Sequence, residues 1–498
     1  MSTSTAKRIF SGTLWTTVST IINAVYGFVS VPILISYFGN ANFGLIGLAS
    51  SLNVCANIAD IGMNITNVRF FSIWIQENNW LKVNKLFKTN LAIYGLMGLV
   101  NTIILSIVYI ISDIIFNINR DQDIVLKHLI LILIFSSLFN WFTSCFEQVI
   151  RATENVGWFQ RTAIIPKVFL ILILISTVVL HWSIELYMAL TVMVGFITIP
   201  LQVGKIRKEI PEISFAPKFD YTIFKEILPY TINMFSFAIF QFIYHNLRPV
   251  FLGMQGEIES VTDYKIINSV VNIIGILSGI FFGVVLPSAS KVVSSGNRVA
   301  LEKIAYDGTK YLSIFLCFMV FGMMTVGHDI LLLYVGRDYE YLTKWLYIWL
   351  FITLGNHNQF LSSLMLSQPH LKPLMYNTAL SSFLGLASCW LLIPVFQVGG
   401  AVLSLGIYSL SQLLFYYIYY WNHLFGLSGK RVFFKDFFPS AVCGGVICII
   451  CHYLPHMQSN IVNLIIFGGI FAILYFVSLL IILNREDIIF IRNLVLNK

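Results

Sequence analysis

The chain has 498 residues, of which 57% are hydrophobic and 11% are charged, and its mean hydropathy is +0.81. Soluble domains carry about 25% charged residues, so this composition excludes a large water-soluble core and indicates a polytopic membrane protein. The net charge of +8 needs no nucleic-acid partner, because cytoplasmic loops that face anionic lipid are usually basic.

Apolar stretches of about 20 residues, each long enough to cross a hydrocarbon layer of about 30 Å, recur along the whole chain. We therefore predict an all-α integral membrane protein with about fourteen transmembrane helices. The predicted spans are 9–35, 44–66, 89–112, 124–148, 163–181, 184–203, 227–252, 264–288, 311–335, 343–366, 374–396, 400–421, 438–454 and 462–483.

Lysines and arginines are concentrated in alternate connections between these spans, as expected of cytoplasmic loops. The basic connections include residues 82–88, 205–208 and 430–435. The segment before the first span and the tail after the last are basic too, with Lys7, Arg8, Arg485, Arg492 and Lys498. Both termini are accordingly predicted to be cytoplasmic.

The connecting loops are short, none longer than roughly 25 residues, so no soluble domain is expected on either face. This disfavours a membrane glycosyltransferase or polysaccharide polymerase, which would usually need a long external loop. No phosphate-binding loop with the required spacing is present, and the seven cysteines fall within or beside apolar spans, which suggests neither a disulfide framework nor a zinc site. No cofactor and no catalytic group is predicted, and a transporter is the favoured class.

Polar side chains recur at helical spacing inside several predicted spans. Polar residues on one face of a spanning helix usually meet other helices or a watery cavity. Together they predict a hydrophilic path through the bilayer, although single asparagines and serines often only join neighbouring helices. In the second span these residues are Asn53, Asn57, Asp60, Asn64 and Asn67, and in the fourth they are Asn140, Ser144, Glu147 and Arg151.

Two further groups come from the seventh and eighth spans, and both are predicted in the outer half of the bilayer. They are Gln241, His245 and Arg248, and then Lys265, Asn268 and Asn272. Arg248 either meets an anionic ligand or reaches water at the outer interface, and Lys265 has the same alternatives. Glu147 and Arg151 are predicted to pair at i, i+4 near the inner face.

An aromatic run covers residues 415–421, Phe-Tyr-Tyr-Ile-Tyr-Tyr-Trp. Tyrosine and tryptophan are enriched where a span meets the headgroups, because their rings have an apolar body and a polar tip. We predict an interfacial aromatic belt there.

Several short motifs occur in order along the chain. They are Val31 to Gly39 with its proline, Phe43-Gly44-Leu45, the Asp60-x-Gly62 pair, the connection Glu147 to Gly157, and Leu228-Pro229 with Arg248 to Gly253. Together these motifs resemble the Wzx-type polysaccharide flippases of the MATE-like multidrug/oligosaccharidyl-lipid/polysaccharide exporter superfamily. The resemblance covers chiefly residues 9–70 and extends more weakly to about residue 290.

The resemblance implies a MATE-like fold with two pseudo-symmetric six-helix bundles, residues 1–210 and 211–425, facing each other across a central cavity. Residues 426–498 would add two further helices and a cytoplasmic tail. It also implies a flippase that moves an undecaprenyl-diphosphate-linked oligosaccharide, an O-antigen or capsule repeat unit, from the cytoplasmic to the periplasmic leaflet of a bacterial inner membrane.

On that interpretation the substrate headgroup would contact a set of cavity residues, and other polysaccharide assembly proteins would be further partners. The set is Arg248, His245, Gln241, Lys265, Asn268, Asn272, Asn53 and Asn57. Asp60, Glu147 and Arg151 are candidates for ion coupling or gating, but the acidic residue that family members often have near the end of helix seven is absent here. A multidrug exporter of organic cations with the same fold is the main alternative.

Overall fold

The computed structural model describes residues 3–56, 60–295, 297–366 and 372–483. Across these ranges the chain forms helices joined by short turns, and they contain no strand. The predicted all-α class is confirmed. The chain divides into two compact units, residues 1–265 with 389–401 and residues 266–388 with 402–498. The predicted bundle boundaries at residues 210 and 425 stay a prediction.

The first unit contains the helices of the N-terminal half. They are α1 (Thr3–Phe38), α2 (Asn40–Ala56), α3 (Asp60–Gln76), α4 (Trp80–Ile115), α5 (Arg120–Ala152), α6 (Val156–Thr162), α7 (Ile164–Val179), α8 (Ile184–Met193), α9 (Ile199–Glu209), α10 (Tyr221–Asn246) and α11 (Arg248–Gln255). A 3-10 turn, Val194–Phe196, joins α8 to the segment before α9. Helix α12 (Ile258–Ser295) begins in this unit and continues into the second.

The second unit is built from the remaining helices. They are α13 (Arg298–Val335), α14 (Thr343–Thr353), α15 (Gln359–Leu366), α16 (Lys372–Phe396), α17 (Val398–Phe415), α18 (Gly429–Arg431), α19 (Phe438–Tyr453) and α20 (Asn460–Ile482). Residues 389–401 of α16 and α17 belong to the first unit. Two 3-10 segments, Arg337–Leu342 and Leu354–Asn358, and two π-helical segments, Tyr416–Leu424 and Val432–Phe437, interrupt the α-helices.

Within the described residues, ten helices are long and apolar enough to cross a membrane. The count rises to eleven if Tyr221–Ser236 and Ala238–Asn246, which are bent by 45° relative to each other, form one span. Three of the fourteen predicted spans are not among these eleven. The stretch 44–66 is divided between α2 and α3, the stretch 343–366 is broken by Leu354–Asn358, and α12 contains the third. The part of the chain that the structure describes therefore has about ten candidate spans, and the exact number of fourteen is not confirmed.

Glycines explain three of the short motifs found in the sequence. Gly39 joins α1 to α2 with a φ of 83°, a conformation that residues with a Cβ rarely adopt. A Cβ at Gly44 would lie 2.5 Å from the carbonyl oxygen of Ile258, and one at Gly62 would lie 2.7 Å from Cβ of Phe235. These glycines let α2 approach α12, and α3 approach α10, with backbones nearly in contact.

Helix packing in the first unit is centred on α4 and α5, which run alongside each other and contact α3. The buried side chains at this contact are large and apolar, and include Phe71, Leu86, Phe87, Cys145 and Val149. Helix α10 packs on α3, and its residues Ile223 and Ile227 complete the cluster. This core holds α3, α5 and α10 together, and therefore positions the polar side chains that these helices carry.

The aromatic run does not form the simple interfacial belt that the sequence predicts. Tyr416, Tyr420 and Trp421 are buried in the second unit, whereas Tyr419 remains 42% exposed. The indole nitrogen of Trp421 donates to Oδ1 of Asn358 at 2.9 Å. The π-helical turn wraps these aromatic side chains inward, and they serve as core in this unit.

Candidate functional site

Arg248 lies at the junction of α10 and α11 and is fully buried. Its Nη1 donates to the carbonyl oxygen of Tyr244 at 2.7 Å, and its Cζ lies 3.6 Å from the centroid of the Tyr244 ring. The hydroxyl of Tyr264 also hydrogen-bonds the guanidinium. A carbonyl, an aromatic face and a hydroxyl therefore surround the cation, which is the kind of environment that can hold a buried arginine.

This burial bears on the two interpretations of Arg248 drawn from the sequence. The side chain does not reach out to an interface, since none of its surface is exposed. It also contributes to the structure in this conformation, because it links the end of α10 to Tyr264 of α12. Contact with an anionic ligand would require α10, α11 or α12 to move.

The other two members of the seventh-span group have different surroundings. His245 is exposed, with its ring centroid 5.1 Å from that of Tyr244 in an edge-on arrangement. Gln241 is partly buried. Of these three helically spaced side chains, only that of Arg248 is fully buried.

Lys265 lies in α12 against α2. Its Nζ is 3.5 Å from Oγ of Ser51, and its Cε would be 3.3 Å from a Cβ at Gly47. Cys55, one turn beyond Ser51, donates to the carbonyl oxygen of Asn246 at 3.7 Å. The small side chains on this face of α2 leave room for the lysine stem, so the ammonium lies beside a hydroxyl within the first unit.

The remaining asparagines of the predicted cavity set are distributed over both units. Asn53 is partly buried near the end of α2, and Asn57 lies outside the described residues. In the second unit, Asn268 is partly buried and Asn272 is exposed on α12. Gly275, one turn further along α12, is also exposed, so this helix carries a small and polar face.

A continuous hydrogen-bond network connects α3, α4 and α5 near Asp60. The Tyr94 hydroxyl donates to Oδ1 of Asp60, and Oγ of Ser144 donates to Oδ2 at 3.2 Å. Gln148 donates to the Tyr94 oxygen at 2.6 Å and accepts from Asn67 at 3.0 Å. Both carboxylate oxygens of Asp60 thus act as acceptors, which is the arrangement that an ionised carboxylate requires.

One acceptor in this network, the side-chain oxygen of Asn67, is not used. Its side chain is fully buried, and its Oδ1 has no hydrogen-bond partner among the described residues. Buried polar atoms are usually satisfied, so this oxygen is an exception in the network. No group of three or more metal-ligating acidic, histidine or cysteine side chains occurs in the described part of the chain.

Glu147 and Arg151 form the predicted i, i+4 ion pair at the end of α5, which confirms that pairing. The Arg151 guanidinium lies 5.2 Å from the centroid of the Phe159 ring on the neighbouring α6. Their side chains are 26% and 40% exposed, and exposed pairs of this kind contribute little to stability. The pair closes one end of α5 next to the Asp60 network without being part of it.

The sequence pattern did not predict the partners that organise both polar groups. Tyr94 lies between apolar neighbours in the 36-residue helix α4, and nothing in its local pattern points to Asp60. Tyr244 and Tyr264 look like ordinary interfacial or core aromatics. Gln148 could have been found, because it lies one turn after Ser144 on α5.

A family model and several solved structures match this chain. Residues 9–293 match the family described as polysaccharide biosynthesis protein, and no curated protein matches the chain. Among solved structures, the lipid II flippase MurJ in an inward closed conformation has a TM-score of 0.70 at 15% identity, covering 97% of this chain and 99% of that one.

Two MATE transporters share the fold at lower similarity. An inward-facing multidrug resistance MATE family transporter of the MOP superfamily has a TM-score of 0.60 at 11% identity, covering 88% of this chain and 96% of that one. A Vibrio cholerae MATE transporter in the bent form has a TM-score of 0.57 at 14% identity, with 83% and 96% covered. The fold and the family model agree with the Wzx-type resemblance found in the sequence, and the chain belongs to the polysaccharide biosynthesis protein family.

Proposed function

We propose that this protein is a flippase that moves an undecaprenyl-diphosphate-linked oligosaccharide from the cytoplasmic to the periplasmic leaflet of a bacterial inner membrane, with both termini cytoplasmic. The observation that carries the proposal is the family match over residues 9–293. The fold shared with a lipid II flippase supports it, because a chain with that fold can handle a lipid-linked sugar by alternating access.

The physical task is to carry a diphosphate and several sugars past hydrocarbon while the lipid tail stays in lipid. A cation near small polar side chains suits the phosphates, and amide groups suit sugar hydroxyls. We assign these roles to Lys265 with His245 and to the asparagines Asn53, Asn57, Asn268 and Asn272, with Gln241. Arg248 would contact the substrate headgroup only in a conformation that separates its guanidinium from Tyr244 and Tyr264.

Lipid analysis of a deletion strain tests the substrate. Loss of the gene should cause an undecaprenyl-linked oligosaccharide to accumulate at the inner leaflet and surface polysaccharide to disappear, and the intact gene should reverse both. A deletion strain with normal surface polysaccharide and no accumulated lipid would refute the proposal. Accumulation of an organic cation instead would favour the multidrug class.

The headgroup assignment is tested at Lys265. Lys265→Met should abolish export at normal protein abundance, whereas Lys265→Arg should retain part of it, because the phosphates need a cation there. Lys344→Met is the matched control, since Lys344 is exposed at the start of α14. Normal export by Lys265→Met would remove Lys265 from the site.

We further propose that the Asp60 network couples transport to an ion gradient. Asp60→Asn keeps one of the two oxygens that accept from Tyr94 and Ser144, replaces the other by an NH2 donor, and removes the charge that binds a proton or cation. Transport by the variant in vesicles should no longer respond to proton or sodium gradients, while Asp121→Asn, at an exposed position of α5, should behave as wild type. An unchanged gradient response in Asp60→Asn would exclude this role.

A further inference from the structure

A second site lies in the unit formed by residues 266–388 and 402–498. A cavity of about 530 Å³ is bounded by α14, the turn Leu354–Asn358, α17 and the two π-helical segments. This size falls within the roughly 300–1,000 Å³ of small-molecule sites. Its walls are mostly apolar side chains, among them Phe351, Leu410, Leu413 and Phe437.

Two polar side chains of the cavity wall, His357 and Tyr417, already have partners. His357 Nδ1 contacts the carbonyl oxygen of Leu354 at 2.8 Å, and its Nε2 contacts the Tyr417 hydroxyl at 2.5 Å and Asn358 Nδ2 at 2.9 Å. The His357 ring also stacks on Phe437 with centroids 4.0 Å apart. Because His357 and Tyr417 satisfy each other and the other lining side chains except Ser409 are apolar, the cavity presents mostly carbon to whatever enters, and a hydrocarbon chain fits that surface.

The mouth of the cavity is itself apolar. Phe351 is 62% exposed, Leu410 60% and Leu414 52%, and all three line the cavity. The helices that carry Leu410 and Leu414 form a candidate membrane span, Val398–Leu424. An exposed apolar mouth on a spanning helix faces lipid, so the cavity opens toward the hydrocarbon layer.

The segment beside the cavity is basic. The π-helical segment Val432–Phe437 contributes Phe433 and Phe437 to the cavity. Along residues 429–438 the exposed charges are all basic, namely Lys430, Arg431 and Lys435, because the acidic Asp436 is buried. The Arg431 guanidinium lies 3.9 Å from the centroid of the Tyr306 ring, which holds it in place.

We propose that this cavity binds an anionic phospholipid, with one acyl chain in the apolar pocket and the phosphate at the basic segment 430–435. Basic side chains beside a spanning helix attract anionic lipid headgroups, and the predicted cytoplasmic position of this loop places the lipid in the inner leaflet. The site shares no residue with the set assigned to substrate transport, and the proposal does not depend on that function.

The test counts bound lipids by native mass spectrometry on the full-length purified protein. Phosphatidylglycerol and phosphatidylcholine with the same acyl chains serve as probes. Leu410→Trp should fill the mouth and remove one bound phosphatidylglycerol per protein, and Gly406→Leu, which fills the cavity from α17, should do the same. Leu480→Trp is the matched control, because Leu480 is 74% exposed on α20 and does not line the cavity.

The headgroup part is tested by the double substitution Lys430→Gln with Lys435→Gln. It should lower the preference for phosphatidylglycerol over phosphatidylcholine by roughly tenfold or more, while the total number of bound lipids stays constant. Equal binding of both lipids by the wild type, or unchanged phosphatidylglycerol binding in both Leu410→Trp and Gly406→Leu, would overturn the proposal. Retention of a polyisoprenyl phosphate with exclusion of phosphatidylglycerol would also overturn it.

Discussion

Replacing Arg248 by methionine is expected to destabilise the unit formed by residues 1–265 and 389–401. Methionine fills much of the same space but cannot donate a hydrogen bond or carry a charge. The carbonyl oxygen of Tyr244, which accepts from Nη1 at 2.7 Å, would lose that donor, and the Tyr244 ring would lose the cation above it.

The size of the effect follows from these contacts. A hydrogen bond to a charged group contributes about 1.5–3 kcal/mol, and a desolvated cation–π contact contributes about 2 kcal/mol. The desolvation cost of the buried cation, which methionine removes, offsets part of this loss. We expect a net loss of about 2 kcal/mol or more, which corresponds to a fall in Tm of roughly 4 °C or more for a unit of this size.

Thermal unfolding of the purified protein in detergent measures the effect, with export and protein abundance measured in parallel. Arg248→Lys should fall between methionine and wild type, because an ammonium keeps the charge but lacks the planar, several-donor guanidinium. Arg120→Met is the control, since Arg120 is exposed at the start of α5.

Two results would refute this reasoning about Arg248. A Tm for Arg248→Met equal to that of Arg120→Met and wild type would show that the enclosed cation contributes no net stability. Normal stability together with lost export would instead make Arg248 a direct substrate contact.

Three further predictions concern other positions. Gly62→Val should lower stability by about 1–3 kcal/mol, measured as a loss of Tm, because a Cβ there would lie 3.1 Å from the carbonyl oxygen of Thr231; an unchanged Tm would contradict close α3–α10 packing. Asn463→Leu should lower Tm by removing the buried hydrogen bond to Asp329 at 3.1 Å, and an Asn463→Gln variant with equal loss would show that shape, not hydrogen bonding, matters. Hydrogen bonds from backbone amides at the start of α10 hold the pKa of Asp220 below its usual range, so its contribution to stability is fully present above about pH 4 and is lost progressively as pH falls from there through the lowered pKa; Asp220→Ala should lower Tm at pH 7, and the difference from wild type should shrink as the pH is lowered below about 4.

The sequence by itself determined the class of this protein and the approximate positions of its spans. Apolar runs of about 20 residues are a local property, because the helix must satisfy its own backbone in lipid. The spacing of Glu147 and Arg151 likewise predicted their ion pair, since i, i+4 contacts depend only on the helix itself.

Only the tertiary structure decided which polar and aromatic side chains meet. Tyr94 lies 34 residues from Asp60 in sequence yet donates to its carboxylate, and Tyr264 reaches Arg248 from another helix. The burial of Tyr420 and Trp421 could not be predicted from the sequence pattern either. In a membrane protein, lipid and protein interior are both apolar, so hydrophobicity alone cannot tell which face of a helix packs inward, and only the packing of helices distant in sequence answers that.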